Sequence, residues 1–125
     1  MRVLDVGTRI AAPFCAGLLG ELGAEVIKIE DPRTGDMMRS LGPFVPDGDP
    51  ARSEHDDLEG YSLFWAVEGR GRRSVTLDLR RPEGQEIFRK LASRCDVICE
   101  NFRPGTLERW HIGPGELDPG SRAQR

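Results

Sequence analysis

Lysine is nearly absent. Lys28 and Lys90 are the only two, and every other cation is an arginine. Arginine's planar fork suits phosphate and carboxylate, but a genome rich in arginine codons gives the same bias, so only individual positions are informative. No run of ~20 apolar residues occurs, so no segment is long and apolar enough for a membrane-spanning helix. Asp5 and Arg9 interrupt any signal-peptide core. Cysteine is sparse and odd in number (Cys15, Cys95 and Cys99), with no zinc-ligand spacing. Cys95 and Cys99 fall in one extended segment, where ~3.3 Å per residue separates them by ~13 Å, too far for a disulfide or a shared metal. All three read as small buried side chains of a cytoplasmic protein. The first turn, Gly7-Thr8-Arg9-Ile10-Ala11-Ala12, lacks GxGxxG, and GxxxxGK[ST] occurs nowhere. Both absences argue against dinucleotide and P-loop sites. A net charge of -3 argues against a nucleic-acid partner.

What is present, over 125 residues, suits one domain with a modest core. Val3 to Val6 reads as a short strand, Gly7 to Ala12 as a turn, and Phe14 to Leu22 as a helix with Pro13 at its first position. Gly23 reads as a left-handed cap and Glu25 to Glu30 as a second strand. Such short connections imply a parallel pair with a right-handed crossover. Asp31 to Gly60 reads as irregular, with an acidic, mobile stretch over residues 53–59. Tyr61 to Val67 reads as one or two turns of buried helix, and Gly69 to Arg73 as a basic turn. Ser74 to Leu79 alternates as a strand. A helix from Pro82 presents Ile87, Phe88, Leu91 and Ala92 on one face, with Glu86 and Lys90 paired outside. Asp96 to Cys99 follows as a strand, Asn101 to Gly105 as a loop and Thr106 to Trp110 as a short helix. The expected class is therefore α/β, a parallel sheet with flanking helices. Residues 1–117 form one unit, and residues 118–125 form an irregular tail that reads as a chain stopping before its domain does.

Ligands of open parallel sheets bind beyond the C-terminal strand ends. Those ends carry Thr8-Arg9-Ile10, Glu30-Asp31, Leu79-Arg80 and Asn101-Phe102-Arg103. Glu30 stands where an acid would bond a ribose, but without the glycine fingerprint. A phosphorylated, non-dinucleotide cofactor fits better, with Arg9, Arg39, Arg72, Arg73, Arg80, Arg103 and Arg109 as candidate phosphate partners. The amides of Phe102 and Arg103 are candidate anion donors. Arg72 and Arg73 are equally well read as solvated surface, and Asn101 as an Asx turn within its own loop. His55 and His111 read as surface residues and Asp5 as a hydrogen-bonded buried carboxylate. Phe64, Trp65 and Trp110 read as core.

Val3-Leu4-Asp5, Pro13-Phe14, Leu22-Gly23-Ala24-Glu25-Val26-Ile27-Lys28-Ile29-Glu30, Gly35-Asp36, Arg39, Gly42-Pro43, Arg73 to Leu79 and Glu100-Asn101-Phe102-Arg103-Pro104-Gly105 together resemble the N-terminal part of the family III CoA-transferases. This CaiB/BaiF group includes formyl-CoA transferase, carnitine CoA-transferase and, more distantly, α-methylacyl-CoA racemase. The resemblance covers about Val3 to Leu117. It implies a Rossmann-like part of a larger domain that binds coenzyme A, without a metal. It also implies transfer of CoA between an acyl-CoA and a carboxylic acid through an Asp nucleophile, and an interlocked homodimer. By position it points to Arg9, Ile10, Leu77, Arg80, Asn101, Phe102, Arg103 and Arg109 as CoA contacts. It places the nucleophile several tens of residues beyond Arg125, so no catalytic residue is assigned. A racemase of the same superfamily and an inactive CoA-binding remnant are the alternatives. The chain departs from the family at Ala12 and His111, where Gly is usual, and at Asp31, where Arg is common. It departs again at Gly69 to Ser74, where Asn-x-Gly-Lys-Arg-Ser is usual.

Overall fold

The computed structural model describes residues 1–45 and 60–117. The acidic stretch 53–59, His55 and the tail 118–125 lie outside the described residues. Four parallel strands make one sheet in the order β5-β2-β1-β6: β1 (Arg2–Asp5), β2 (Glu25–Glu30), β5 (Arg72–Thr76) and β6 (Val97–Cys99). A two-stranded antiparallel piece, β3 (Phe44–Val45) with β4 (Tyr61–Ser62), stands apart. The helices are α1 (Ala11–Glu21), α2 (Leu63–Glu68), α3 (Pro82–Ala92) and α4 (Thr106–Arg109).

Side-chain alternation decides which layer each residue joins. Val3 and Val26 are register partners, and with Cys99 they meet Ala12 and Ala16 of α1 on one face. Leu4, Ile29, Leu77 and Leu79 meet Phe88 and Ala92 of α3 and Leu107 on the other. Phe88 is fully buried there, which contributes about 1.5–3 kcal/mol. Gly84 lets α3 approach the sheet, since a Cβ there would sit 2.2 Å from the Asp78 carbonyl. Gly7 has a similar role in the first turn, where a Cβ would lie 2.4 Å from that of Ala12.

Several expectations shift. The first helix begins at Ala11, so Pro13 is its third residue and not its first. The third sheet strand spans Arg72–Thr76, because parallel pairing to β2 joins Val26 to Arg72 and Glu30 to Thr76. The expected basic turn is thus shortened to its glycine-bearing part, with Gly71 at φ 70. The irregular region holds a 3-10 helix, Met37–Ser40, capped by Asp36, besides the small antiparallel pair. Of Tyr61 to Val67, only Ser62 and Trp65 are buried, because α2 covers a corner of the molecule and not its centre. Phe64 and Trp110 are half-buried. Cys15 is exposed and Cys95 half-buried, so only Cys99 sits in the core as expected.

Candidate functional site

Two loops close over the C-terminal ends of the central strands. The first, Gly7 to Ile10, follows β1; the second, Glu100 to Gly105, follows β6. Asn101 joins them. Its Oδ1 accepts from the Thr8 amide at 2.9 Å, and its Nδ2 donates to the Thr8 carbonyl at 2.8 Å. The alternative of an Asx turn within its own loop is therefore replaced by a clasp spanning 93 positions. The clasp holds Arg9 in the left-handed region at φ 62, with Ile10 exposed beside it. On the second loop, the Phe102 amide donates to the Glu100 carboxylate at 2.9 Å. The Phe102 ring packs edge-on against Trp110, with centroids 5.3 Å apart. A carboxylate already sits on one of the two amides expected to face a ligand. Arg103 is exposed, and Arg109 donates to Thr106 Oγ1 at 3.2 Å.

The expected arginines divide by their partners. Arg9, Arg103 and Arg109 pair with no carboxylate among the described residues. Arg80 is held by Asp78 at 2.6 Å and Asp31 at 2.7 Å. Its neighbour Leu77 is buried, with its amide bound to the Glu30 carbonyl. Arg39 forms two 2.8 Å bonds to Glu30 and stacks over Trp65 at 4.0 Å. The Arg72 side chain is 2% exposed and binds Asp5 and the Pro13 carbonyl. Arg73 reaches Glu25, at the opposite end of the strands. As phosphate partners, Arg39, Arg72 and Arg73 are thus corrected: each is committed to a neighbour or faces away. Glu30 is likewise no ribose ligand. It accepts from Arg39, from Ser74 Oγ at 2.5 Å and from the Asp36 amide at 2.8 Å. Burial pushes its carboxyl up, but those hydrogen bonds outweigh it and bring the value down to about 2.

Beneath the mouth runs a row of buried charge, of which the sequence reading anticipated only Asp5, as a hydrogen-bonded buried carboxylate. Lys28, 1% exposed, contacts Asp36 at 2.8 Å, Asp5 at 3.4 Å and the Gly7 carbonyl at 2.5 Å. Asp5 also accepts from Arg72 at 2.8 Å and from the Gly7 amide at 3.1 Å. Two cations thus face two carboxylates, which makes this deep burial tolerable. Burial raises the Asp5 carboxyl, with Lys28 and Arg72 pulling the other way. The clue in the sequence was a lysine inside the apolar run Val26 to Ile29, since such a charge needs an internal partner. Away from the mouth, a cavity of about 330 Å³ lies between α1 and α2, walled by Phe14, Leu18, Val67 and Arg72. The Arg72 Nε has no partner there among the described residues.

The sequence profile of CoA-transferase family III matches residues 1–119. The chain belongs to CoA-transferase family III. Relatives include the succinyl-CoA–L-malate CoA-transferase beta subunit of Chloroflexus aurantiacus, 50% identical over 90% of this chain and 25% of that protein. The succinyl-CoA–D-citramalate CoA-transferase of the same organism is 44% identical over 94% of this chain and 26% of its own length. Among solved structures, a CaiB/BaiF family protein of Brucella suis superposes with a TM-score of 0.80, at 32% identity, over 97% of this chain and 30% of that one. The chain therefore spans about a quarter of the length of the curated CoA-transferases it matches. Its α/β sheet corresponds to their N-terminal portion. His111 adopts φ 54, a conformation that glycine reaches without strain.

Proposed function

We propose that this chain supplies the CoA-holding part of a transferase that moves CoA between an acyl-CoA and a carboxylic acid. The observation that carries the reading is the Asn101–Thr8 clasp. It fixes the two strand-end loops together, with Arg9 on one and Arg103 on the other. CoA presents a diphosphate and a 3′-phosphate, and the arginines without carboxylate partners among the described residues, Arg9, Arg103 and Arg109, match that charge. Asn101 positions the first turn. Ile10 and Phe102 supply apolar surface for the cofactor, Leu77 offers its backbone carbonyl, and Arg80 reaches a phosphate by exchanging one of its carboxylates. The named activities of the relatives favour succinyl-CoA as donor and a short dicarboxylic acid as acceptor.

Among the described residues of 1–117, read as one unit, no side chain takes the nucleophile's role. Asp5 and Asp36 are buried against Lys28, out of reach of a thioester. The chain alone holds CoA without turnover, and a homodimer of family-length chains in the cytoplasm completes the enzyme. Isothermal titration of the chain with CoA tests the binding half of this reading. Saturable binding that weakens with salt is expected, with about tenfold or greater loss in Asn101→Ala and in Arg103→Ala. Heats no larger than dilution, or affinity untouched by both substitutions, would overturn it.

A further inference from the structure

The ladder of the sheet reaches Val6, whose amide donates to the Cys99 carbonyl at 3.0 Å; beyond it, side chains hold the first turn. Four backbone groups lie between Val6 and Arg9, the N–H and C=O of Gly7 and of Thr8. Asp5 accepts from the Gly7 amide at 3.1 Å, and Lys28 donates to the Gly7 carbonyl at 2.5 Å. Asn101 takes both Thr8 groups, the amide at 2.9 Å and the carbonyl at 2.8 Å. The Gly7 carbonyl and the Thr8 amide belong to one planar peptide unit and point to opposite sides of it. Lys28 and Asn101 therefore grip the two ends of a single rigid plane. Glycine is the residue about which such a plane turns most freely, so the grip has something to prevent.

Lys28 reaches that carbonyl because register sets it beside Asp5, two residues short of the turn, on the face that α1 covers. Asp36 holds the same ammonium from the segment after β2, at 2.8 Å. Its three N–H bonds thus face oxygens of Asp5, Gly7 and Asp36. Gly7 is closed in as well, since a Cβ there would lie 2.9 Å from Pro13 Cδ and 3.1 Å from Asn101 Oδ1. Arg9 then follows at φ 62, a region that a non-glycine residue keeps only where its surroundings fix it.

We propose that Lys28 is a positioning residue of the mouth: it touches no ligand, but by pinning the Gly7 carbonyl it sets the turn on which Thr8 meets Asn101 and Arg9 takes its left-handed conformation. The role rests on the CoA-holding reading of this mouth. Without the ammonium the Gly7–Thr8 peptide is free to rotate, and rotation withdraws the Thr8 amide from Asn101.

Lys28→Met alone unbalances the buried acids, so the test uses Lys28→Met together with Asp36→Asn, which removes one buried charge of each sign. Asp36→Asn retains an oxygen for the Met38 amide that caps the 3-10 helix. Phe88→Leu, on the other face of the sheet, is the control that lowers stability without touching the turn. Urea unfolding gives the folded fraction of each chain, and titration with CoA then reads affinity per folded molecule. The double variant should bind about tenfold or more weakly, and Phe88→Leu as the wild type does. Amide hydrogen exchange followed by NMR needs no ligand. In the double variant the Thr8 amide should exchange about tenfold or more faster relative to the amides of β1, a ratio that Phe88→Leu should leave unchanged. Wild-type CoA affinity in the double variant, or Thr8 protection that stays in step with β1, would overturn the proposal. A wild-type chain that binds no CoA counts against the transferase reading, and Thr8 exchange still decides whether Lys28 sets the turn.

Discussion

Replacing Glu30 by Gln probes the polar face of the sheet most directly. Glu30 is almost wholly buried and accepts four hydrogen bonds, from Arg39 Nε and Nη2, Ser74 Oγ and the Asp36 amide. Its carboxyl falls from 4.5 to about 2, because these bonds outweigh a burial effect of opposite sign. A folded-state value below the unfolded one means that the stabilisation is complete above about pH 4.5 and is lost as the pH falls toward about 2. That difference corresponds to about 3 kcal/mol. Glutamine keeps the shape but not the charge. It sets an NH2 against one Arg39 donor and leaves the guanidinium over Trp65 without a counter-charge. Glu30→Gln should therefore cost about 3 kcal/mol at neutral pH, read from urea unfolding followed by tryptophan fluorescence. The gap should narrow as the pH is lowered from 5 toward 2, because the wild type loses what the variant never had. Parallel stability curves over that range, or a neutral-pH loss below about 1 kcal/mol, would refute the reasoning.

Lys28→Met leaves Asp5 and Asp36 facing one cation in place of two, and should cost about 3–5 kcal/mol by the same urea measurement. Adding Asp36→Asn to Lys28→Met should recover part of that loss; no recovery would argue against charge imbalance as the cause. Gly17→Ala places a Cβ 2.7 Å from Arg72 Nη2, where Asp5 and the Pro13 carbonyl leave the guanidinium no room to shift. A loss of about 1–3 kcal/mol is expected in thermal unfolding, and an unchanged midpoint would contradict it. His111→Gly relieves a non-glycine residue at φ 54 while keeping the backbone carbonyl that Arg89 binds. It should raise stability by about 1 kcal/mol, and a lowered melting midpoint would count against it.

The sheet was legible because its signals are local. The apolar run at Val26 to Ile29, the turn at Gly7 and the amphipathic face around Phe88 each declare their layer within a few residues. The strand-end loops were legible as a location, and the motifs around Lys28 and Asn101 made the family legible too. What escaped were partnerships across long sequence distances. Nothing near Asn101 announces that its amide will lie against the Thr8 backbone, 93 positions away. Nothing near Arg72 announces that parallel pairing to Val26 will turn its side chain inward toward Asp5. Arginines that look alike in sequence separate into internal ion pairs and exposed mouth residues only once the strand register is known. Cys15 misled for a similar reason: it lies on an apolar helix whose covered side, marked by Ala12 and Ala16, is known only once the helix is laid on the sheet.

The buried row of Asp5, Lys28 and Asp36 has a consequence for how the chain finds its fold. Apolar strands of similar length can slide along one another at little cost, because Val, Leu and Ile are nearly interchangeable. Here a slide of one residue along β2 would turn Lys28 to the opposite face, among Leu4, Phe88 and Ala92, with no acid to meet it. Asp5 and Asp36 would be stranded at the same time. The charges therefore make misaligned pairings costly without adding much to the aligned one, so a small domain with a modest core rejects the near-miss arrangements that apolar packing alone would tolerate.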